Sequence, residues 1–293
     1  MNNYNGIARL PLVVVIGPTA SGKTAFAVKA AKKYGGEIIC ADSRSVFRGM
    51  DIGTAKPSKL EQSTIPHWGI DLVDPGEPYS AADFKKYALE KIDEIRSRKK
   101  IPFLVGGSGL YVDSVIFDYK FGDKADPKER ARLDSMTLEQ LWGYCDKNSI
   151  VLPENYHNKR YVTRNIERKN TSAPRRNELI KHTYVVGIST DRTILRSRIQ
   201  QRIEQLFDAG VVNEAKKLGK KYGWATESFK GNIYRIVKLY LDDQVSLAEA
   251  KVRASTLDWR LAKRQLTWFK RNKFIQWGSA GELEIFLDRL LAK

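Results

Sequence analysis

Eight consecutive residues carry the clearest chemistry in the chain: Gly17, Pro18, Thr19, Ala20, Ser21, Gly22, Lys23 and Thr24 spell G-x-x-x-x-G-K-[ST]. Glycines at both ends let backbone N–H groups converge on anionic oxygens. A helix opening at the loop adds the positive end of its dipole. Lys23 supplies a mobile cation, and the Thr24 hydroxyl is a hard oxygen ligand suited to Mg2+. The loop therefore implies a bound diphosphate or triphosphate and leaves the reaction open. Asp42 follows a short apolar segment, where a carboxylate can act as a general base or cap a helix. Arg198 and Arg202 are four residues apart among Ile199, Ile203 and Leu206. Both guanidinium groups thus share one helix face, as anion ligands or as a solvated basic surface.

Short buried strands and the helices between them must position these groups. Leu12–Ile16 is a β-branched run that stops at Gly17, and a helix with Ala27, Ala30 and Ala31 on one side follows the loop. Residues 37–40 and 101–105 are further strand candidates, the latter ended by Gly106-Gly107. Ser80 and Asp83 form a capping-box signal for a helix running to about residue 98. Strands alternating with helices predict a parallel α/β sheet covered on both faces. Residues 120–181 are polar, lack strand runs and carry breaks at Asp126-Pro127, Leu152-Pro153 and Ala173-Pro174. They are expected to form a small helical insertion. Residues 184–188 return to the sheet, and the chain from Arg192 onward is mostly helical. The division expected is a discontinuous core of residues 1–118 and 183–293 around an insertion of residues 119–182.

The chain has 293 residues and a net charge of +17, from 51 Lys and Arg against 34 Asp and Glu. A field of that sign favours polyanions such as nucleic acid. Two cysteines, Cys40 and Cys145, cannot build a disulfide framework or a four-cysteine zinc site. No run reaches the ~18 apolar residues of a membrane span. The first ten residues lack the apolar core of a signal peptide, so the expected location is the cytoplasm. No self-association stripe stands out, and a monomer is expected.

Four segments carry a resemblance. D-S-R-S-V-F-R-G-M-D-I-G-T-A-K-P (42–57), Pro66-His67 leading to Y-S-A-A-D-F (79–84), L-V-G-G-S-G-L-Y (104–111) and A-K-R-Q-L-T-W (262–268) resemble the tRNA dimethylallyltransferase family, in that order. The resemblance implies a P-loop NTPase-like fold. It also implies transfer of a five-carbon prenyl group from dimethylallyl diphosphate to N6 of an adenine beside the anticodon of tRNA, with Mg2+. Asp42 matches the family's general base and Ser108 its Gly-Gly-Thr hydroxyl. Lys23, Thr24, Arg198 and Arg202 are implied at the diphosphate. Asp42, Ser43, Arg44 and Ser45, then Arg130 and the segment Arg160, Tyr161, Val162, Thr163 and Arg164, align with tRNA-contacting positions.

The chain departs from that pattern at the RNA end. Ser45-Val46-Phe47 replaces Gln-Val-Tyr, residues 231–235 (G-N-I-Y-R) rearrange an Ile-Gly-Tyr-Lys segment, and Asp258-Trp259 stands where Thr-Arg is usual. No Cys/His zinc finger follows, so a bacterial-type enzyme fits better. Three rival readings share the loop: an adenylate prenyltransferase, a nucleotide kinase and a non-catalytic RNA-binding paralogue. The first needs neither the charge nor the insertion.

Overall fold

The computed structural model describes residues 10–122, 126–168 and 176–291. The N-terminal residues 1–9 and the Ala173-Pro174 break lie outside them. The described residues contain one parallel sheet of β1 (Leu12–Ile16), β2 (Gly36–Ala41), β3 (His67–Trp68), β4 (Ile101–Gly106), β5 (Thr183–Ile188) and β6 (Ile275–Gly278). Its order is β3-β2-β4-β1-β5-β6. Every residue of β1, β2 and β4 is buried. Helices cover both faces, which is why these strands read as unbroken apolar runs without alternation.

Twelve α-helices accompany the sheet among the described residues: α1 (Lys23–Tyr34), α2 (Lys59–Thr64), α3 (Ala81–Ser97), α4 (Gly109–Ile116), α5 (Pro127–Ser135), α6 (Leu138–Lys147), α7 (Lys159–Glu167), α8 (Arg192–Asp208), α9 (Val211–Tyr222), α10 (Asn232–Leu241), α11 (Leu247–Phe269) and α12 (Ala280–Leu291). In α1, Phe26, Ala27, Ala30 and Ala31 are buried against Val13, Val15, Phe103 and Val105. The three alanines let the helix approach the sheet closely. The Ser80–Asp83 capping box opens α3 as its spacing predicts.

Strand register sets the site. Ile16 pairs with Gly106, and Gly106 with Ala41, so β1, β4 and β2 end level. The residues that follow them, Gly17, Gly107-Ser108 and Asp42, therefore emerge along one edge. This is the carboxyl edge at which open parallel sheets bind ligands. Gly106 is required there, because a Cβ would lie 2.0 Å from the Ala41 carbonyl oxygen.

The chain divides into two compact units, Met1–Ile116 with Leu179–Lys293, and Phe117–Glu178. The second compares with the expected insertion of residues 119–182. Its backbone closes where Arg176 N–H donates to the Phe117 carbonyl at 2.9 Å. Asp126 caps α5 with Pro127 in its first turn, so this Asp-Pro break in the sequence is the start of a helix that carries Arg130 and Arg132. The unit's core is Leu133, Leu141, Cys145, Val162 and Ile166. Glu167, almost fully buried, accepts from Arg130 Nη2 at 2.5 Å and from Arg164 Nη1 at 3.0 Å, and Arg130 Nε is also bonded to it.

Expectations at four residues are corrected in this unit. Val162 and Thr163 are 0% and 1% exposed, so neither side chain can reach RNA: they are core residues of the amphipathic α7. Arg130 and Arg164 are occupied by Glu167 and act first as structure. Arg160 and Tyr161 remain exposed on the same helix.

Candidate functional site

The phosphate loop joins β1 to α1 as its sequence predicts. Ala20 (φ 61°) and Gly22 (φ 88°) both take left-handed backbone, which turns the loop tightly enough to aim its amides inward. The Ser21 hydroxyl is buried and has no hydrogen-bond partner among the described residues. An orphaned polar atom in a phosphate loop is what a site built for an anion leaves when considered alone. Lys23 Nζ donates to the Pro18 carbonyl at 3.3 Å, folding the side chain back over the loop. Its pKa is pushed down to about 8, first by burial and then by Arg202, against the opposing pull of Asp42 and Cys40. The adjacent Cys40 thiol is pushed up to about 12, chiefly by burial.

Asp42 stands one residue past β2. Its Oδ1 accepts from Arg44 N–H at 2.8 Å, a turn that fixes the carboxylate. The following residues form turns, so Asp42 caps no helix. Ser108 Oγ accepts from Ser43 N–H at 2.9 Å and donates to Ser43 Oγ at 3.3 Å, tying the β4 end to the β2 end beside this carboxylate. Arg44 Nη1 reaches the Glu227 carbonyl at 2.9 Å. Burial first, and Asp42 second, raise the Tyr111 pKa, so this phenol stays neutral across the ordinary pH range.

From α8, Arg198 Nη1 lies 3.5 Å from the Ser21 carbonyl and Arg202 Nη2 lies 3.5 Å from that of Thr54. Both contacts are at the limit of a hydrogen bond, and Arg202 Nε is buried without a partner among the described residues. The two guanidinium groups face the loop, as the four-residue spacing requires if they are anion ligands. Arg202 is half-buried, whereas Arg198 stays exposed to solvent as it reaches the loop.

Ser45 is 5% exposed and Phe47 4%. Ser45 is therefore corrected from an RNA contact to a packed residue: it sits in the sharp turn between β2 and the 50–57 segment. Phe47 packs inward too, bridging Val73.

Several residues that organise the site had little sequence signal. Gln265 Oε1 accepts from Thr19 N–H at 2.8 Å while its Nε2 donates to the Gly107 carbonyl at 3.0 Å. One side chain thus latches the phosphate loop to the β4 end. Trp268 Nε1 donates to Asp113 at 2.8 Å. These two contacts give the A-K-R-Q-L-T-W segment its physical meaning. Lys56, with its side chain 3% exposed, donates to the Phe47 carbonyl and to Asp51 and Asp71 at 2.6–2.8 Å. Glu214 accepts from the N–H groups of Asp51, Ile52 and Gly53 and from the Tyr234 hydroxyl at 2.7–2.9 Å. The I-G-T-A-K-P segment is therefore a braced loop, and Tyr234 is part of the brace. The Tyr234 hydroxyl bears on Glu214, so the rearranged 231–235 segment meets the site through structure as well as through side chains turned outward. Asn232 Nδ2 donates to Asp258 Oδ1 at 2.9 Å.

A family model described as IPP transferase matches residues 45–272. The chain is similar to a tRNA dimethylallyltransferase of Bacillus thuringiensis (strain Al Hakam), 37% identical over 292 residues that cover 94% of this chain and 91% of that protein. A tRNA dimethylallyltransferase of Bacillus anthracis is 38% identical over 284 residues, covering 92% of this chain and 90% of that protein. Among solved structures, the full-length tRNA isopentenylpyrophosphate transferase of Bacillus halodurans superposes with a TM-score of 0.74 at 37% identity. That match covers 96% of this chain and 97% of the other. A eukaryotic dimethylallyltransferase acting on tRNA superposes with a TM-score of 0.78 at 24% identity over 92% of this chain and 74% of that one, a likeness of fold.

Proposed function

This chain belongs to the IPP transferase family, and from that premise we propose that it transfers the dimethylallyl group of dimethylallyl diphosphate to N6 of an adenine in the tRNA anticodon loop, next to the anticodon. The observation that carries the reading is the meeting, on one sheet edge, of a phosphate loop flanked by Lys23, Arg198 and Arg202 with the carboxylate of Asp42. One side suits a diphosphate leaving group and the other a proton acceptor.

In the reaction the amine nitrogen forms a bond to the first carbon of the prenyl group as the C–O bond to diphosphate breaks. The electron pair leaves with the diphosphate. The amine is a weak nucleophile because its lone pair is delocalised into the ring, so Asp42 takes its proton as the bond forms. Lys23, Arg198, Arg202 and the loop amides face the charge that grows on the leaving oxygens. Ser108 holds the turn after Asp42 through Ser43. The adenine must leave its stack to reach such a site.

A divalent cation fits the ligand set. The Thr24 hydroxyl and the orphaned Ser21 hydroxyl lie in the loop. No group of three acidic, His or Cys side chains stands together among the described residues. One protein hydroxyl with diphosphate oxygens and water is the shell that Mg2+ prefers. When bound, it would neutralise part of the diphosphate charge.

For the RNA, the exposed Arg160 and Tyr161 of α7 are the contacts we retain from the insertion, with Ser43 and Arg44 beside the base. No described helix is long and apolar enough to cross a membrane. The deciding experiment incubates the protein with dimethylallyl diphosphate and either bulk tRNA or AMP, followed by mass spectrometry of the nucleosides. Prenyladenosine in tRNA is expected. Product only in AMP would replace this reading with an adenylate prenyltransferase, and product in neither would remove the catalytic assignment.

A further inference from the structure

Asp258 places an acid close to a site otherwise assembled for anions. Its position follows from how α8 and α11 pack. Lys251 of α11 pairs with Glu204 of α8, and three turns further along α11, Ala262 packs with Leu195 and Ile199. The helices are therefore antiparallel, and Asp258, one turn before Ala262, faces α8 near Ile199 and Arg202. Asp258, Ala262 and Gln265 share one face of α11 by their spacing, and Gln265 is the latch on the phosphate loop. Asn232, the first residue of α10, holds the carboxyl from the other side at 2.9 Å. Burial raises the Asp258 pKa, Asn232 and Arg202 oppose that rise and Asp42 reinforces it, so both Arg202 and Asp42 lie within its electrostatic reach.

The charges around the donor side are then Lys23, Arg198 and Arg202 against Asp42 and Asp258. Arg202 has only its long contact to Thr54 and an unpartnered Nε among the described residues. A fixed carboxylate opposite it subtracts from the field an anion would feel there. Asp42 has a reason to be present, since a base is needed. Asp258 has none in the transfer step.

We propose that Asp258, clamped by Asn232, is an affinity-setting counterweight to Arg202 that weakens the site's hold on diphosphate and so lets the product leave. The inference rests on the phosphate loop being the donor site. Tight binding of a spent leaving group gives no gain in rate, because it stabilises the product complex as well as the transition state. An acid opposite an arginine ligand limits that grip.

The test is calorimetric titration of the full chain with inorganic diphosphate and Mg2+, comparing wild type with Asp258→Asn and Asp258→Thr. The first keeps the shape and can still accept from Asn232. The second is a smaller neutral side chain should the first fail to fold, and a melting curve verifies each. Diphosphate affinity is expected to rise roughly three- to thirty-fold in both variants. Product inhibition should tighten in parallel, and kcat should fall more than kcat/KM as release becomes slower. A merely structural role would loosen the site and weaken binding. Wild type that binds diphosphate while both variants bind equally or more weakly overturns the role of Asp258. Wild type that does not bind diphosphate at all instead overturns the donor-site reading on which it stands.

Discussion

The donor edge of the core and the insertion treat their cations in opposite ways. Residues 117–178 hold thirteen Lys and Arg against ten Asp and Glu, a net of +3, while the rest of the chain holds 38 against 24, a net of +14. The insertion then engages many of its own. Arg130 and Arg164 share Glu167, Arg132 pairs with Glu129, and Lys120 and Arg176 pair with Asp118. Cations elsewhere in the core are paired too, Lys56 with Asp51 and Lys251 with Glu204 among them. At the donor edge, however, Arg198 and Arg202 reach only backbone carbonyls at 3.5 Å, and Lys23 has been pushed toward neutrality by burial and a neighbouring arginine. A count of positive residues therefore misstates where positive charge is available. What matters is which cations have already found an anion inside the fold. By that measure the donor edge of the sheet keeps Arg198 and Arg202 available for an anion.

The largest effect should come from removing the base on that edge. Asp42→Asn is expected to lower turnover by roughly 10²–10⁴-fold while donor affinity stays near wild type. Single-turnover kinetics with saturating donor checks this, and turnover close to wild type would remove Asp42 from the mechanism. Lys23→Met should act on the other half of the site, weakening donor binding by roughly 10–100-fold. It carries a second, opposite signature. A lysine held near pKa 8 when folded and at 10.5 when unfolded binds fewer protons in the folded state between those values. Stability of the empty wild-type protein should therefore rise as pH increases from about 8 to about 10.5, by about 1–3 kcal/mol. The Met variant should lack that rise and be the more stable protein at pH 7. Denaturant melts across this range test it, and identical pH profiles for the two proteins would contradict the buried charge.

In the insertion the corresponding test is Glu167→Gln. Burial alone would raise the Glu167 pKa, but Arg130 and Arg164 outweigh it and hold the group below the usual carboxylate value of 4.5. A depressed folded pKa contributes stability above 4.5 that is lost as pH falls. The variant is expected to cost about 2–4 kcal/mol, because two guanidinium groups lose their shared anion. Amide exchange along 126–168 measures the loss. Unchanged protection there would mean that the two arginines do not depend on Glu167.

Most of this core could be read from sequence because its signals are local. The phosphate loop, the Leu12–Ile16 run and the Ser80–Asp83 box each depend on residues within a few positions of one another. The two edge strands were not legible: His67–Trp68 is two residues long, and Ile275–Gly278 has one buried residue among four. Neither offers a periodicity to detect. The braces were also invisible, since Gln265 meets Thr19 across 246 positions and Glu214 meets Gly53 across 161. Only the fold brings such pairs together. The sequence misled where a motif mixed faces. Arg160 to Arg164 aligns as one contact segment, yet an α-helix turns Tyr161 outward and Val162 and Thr163 inward within a single turn.

That face division yields the smallest and sharpest contrast, between two arginines one helical turn apart. Arg160 is exposed, and its side chain has no ion pair among the described residues, whereas Arg164 is bonded to Glu167. If RNA contact follows availability, Arg160→Ala should weaken tRNA binding a few-fold and reduce the slope of log K against log salt by about one, the signature of one lost phosphate contact. Arg164→Ala should leave that slope unchanged and instead lower the melting temperature, because it removes one of the two donors that keep Glu167 ionised. The slope isolates the role: an unfolded or loosened insertion weakens binding at every salt concentration, while a lost phosphate contact weakens it most where salt is low. Binding isotherms from 50 to 300 mM salt, taken with melting curves of both variants, separate the two cases. A slope change in Arg164→Ala with no loss of stability would mean that Glu167 releases its arginine to the RNA, and that the insertion's internal pairs are exchanged for phosphate on binding.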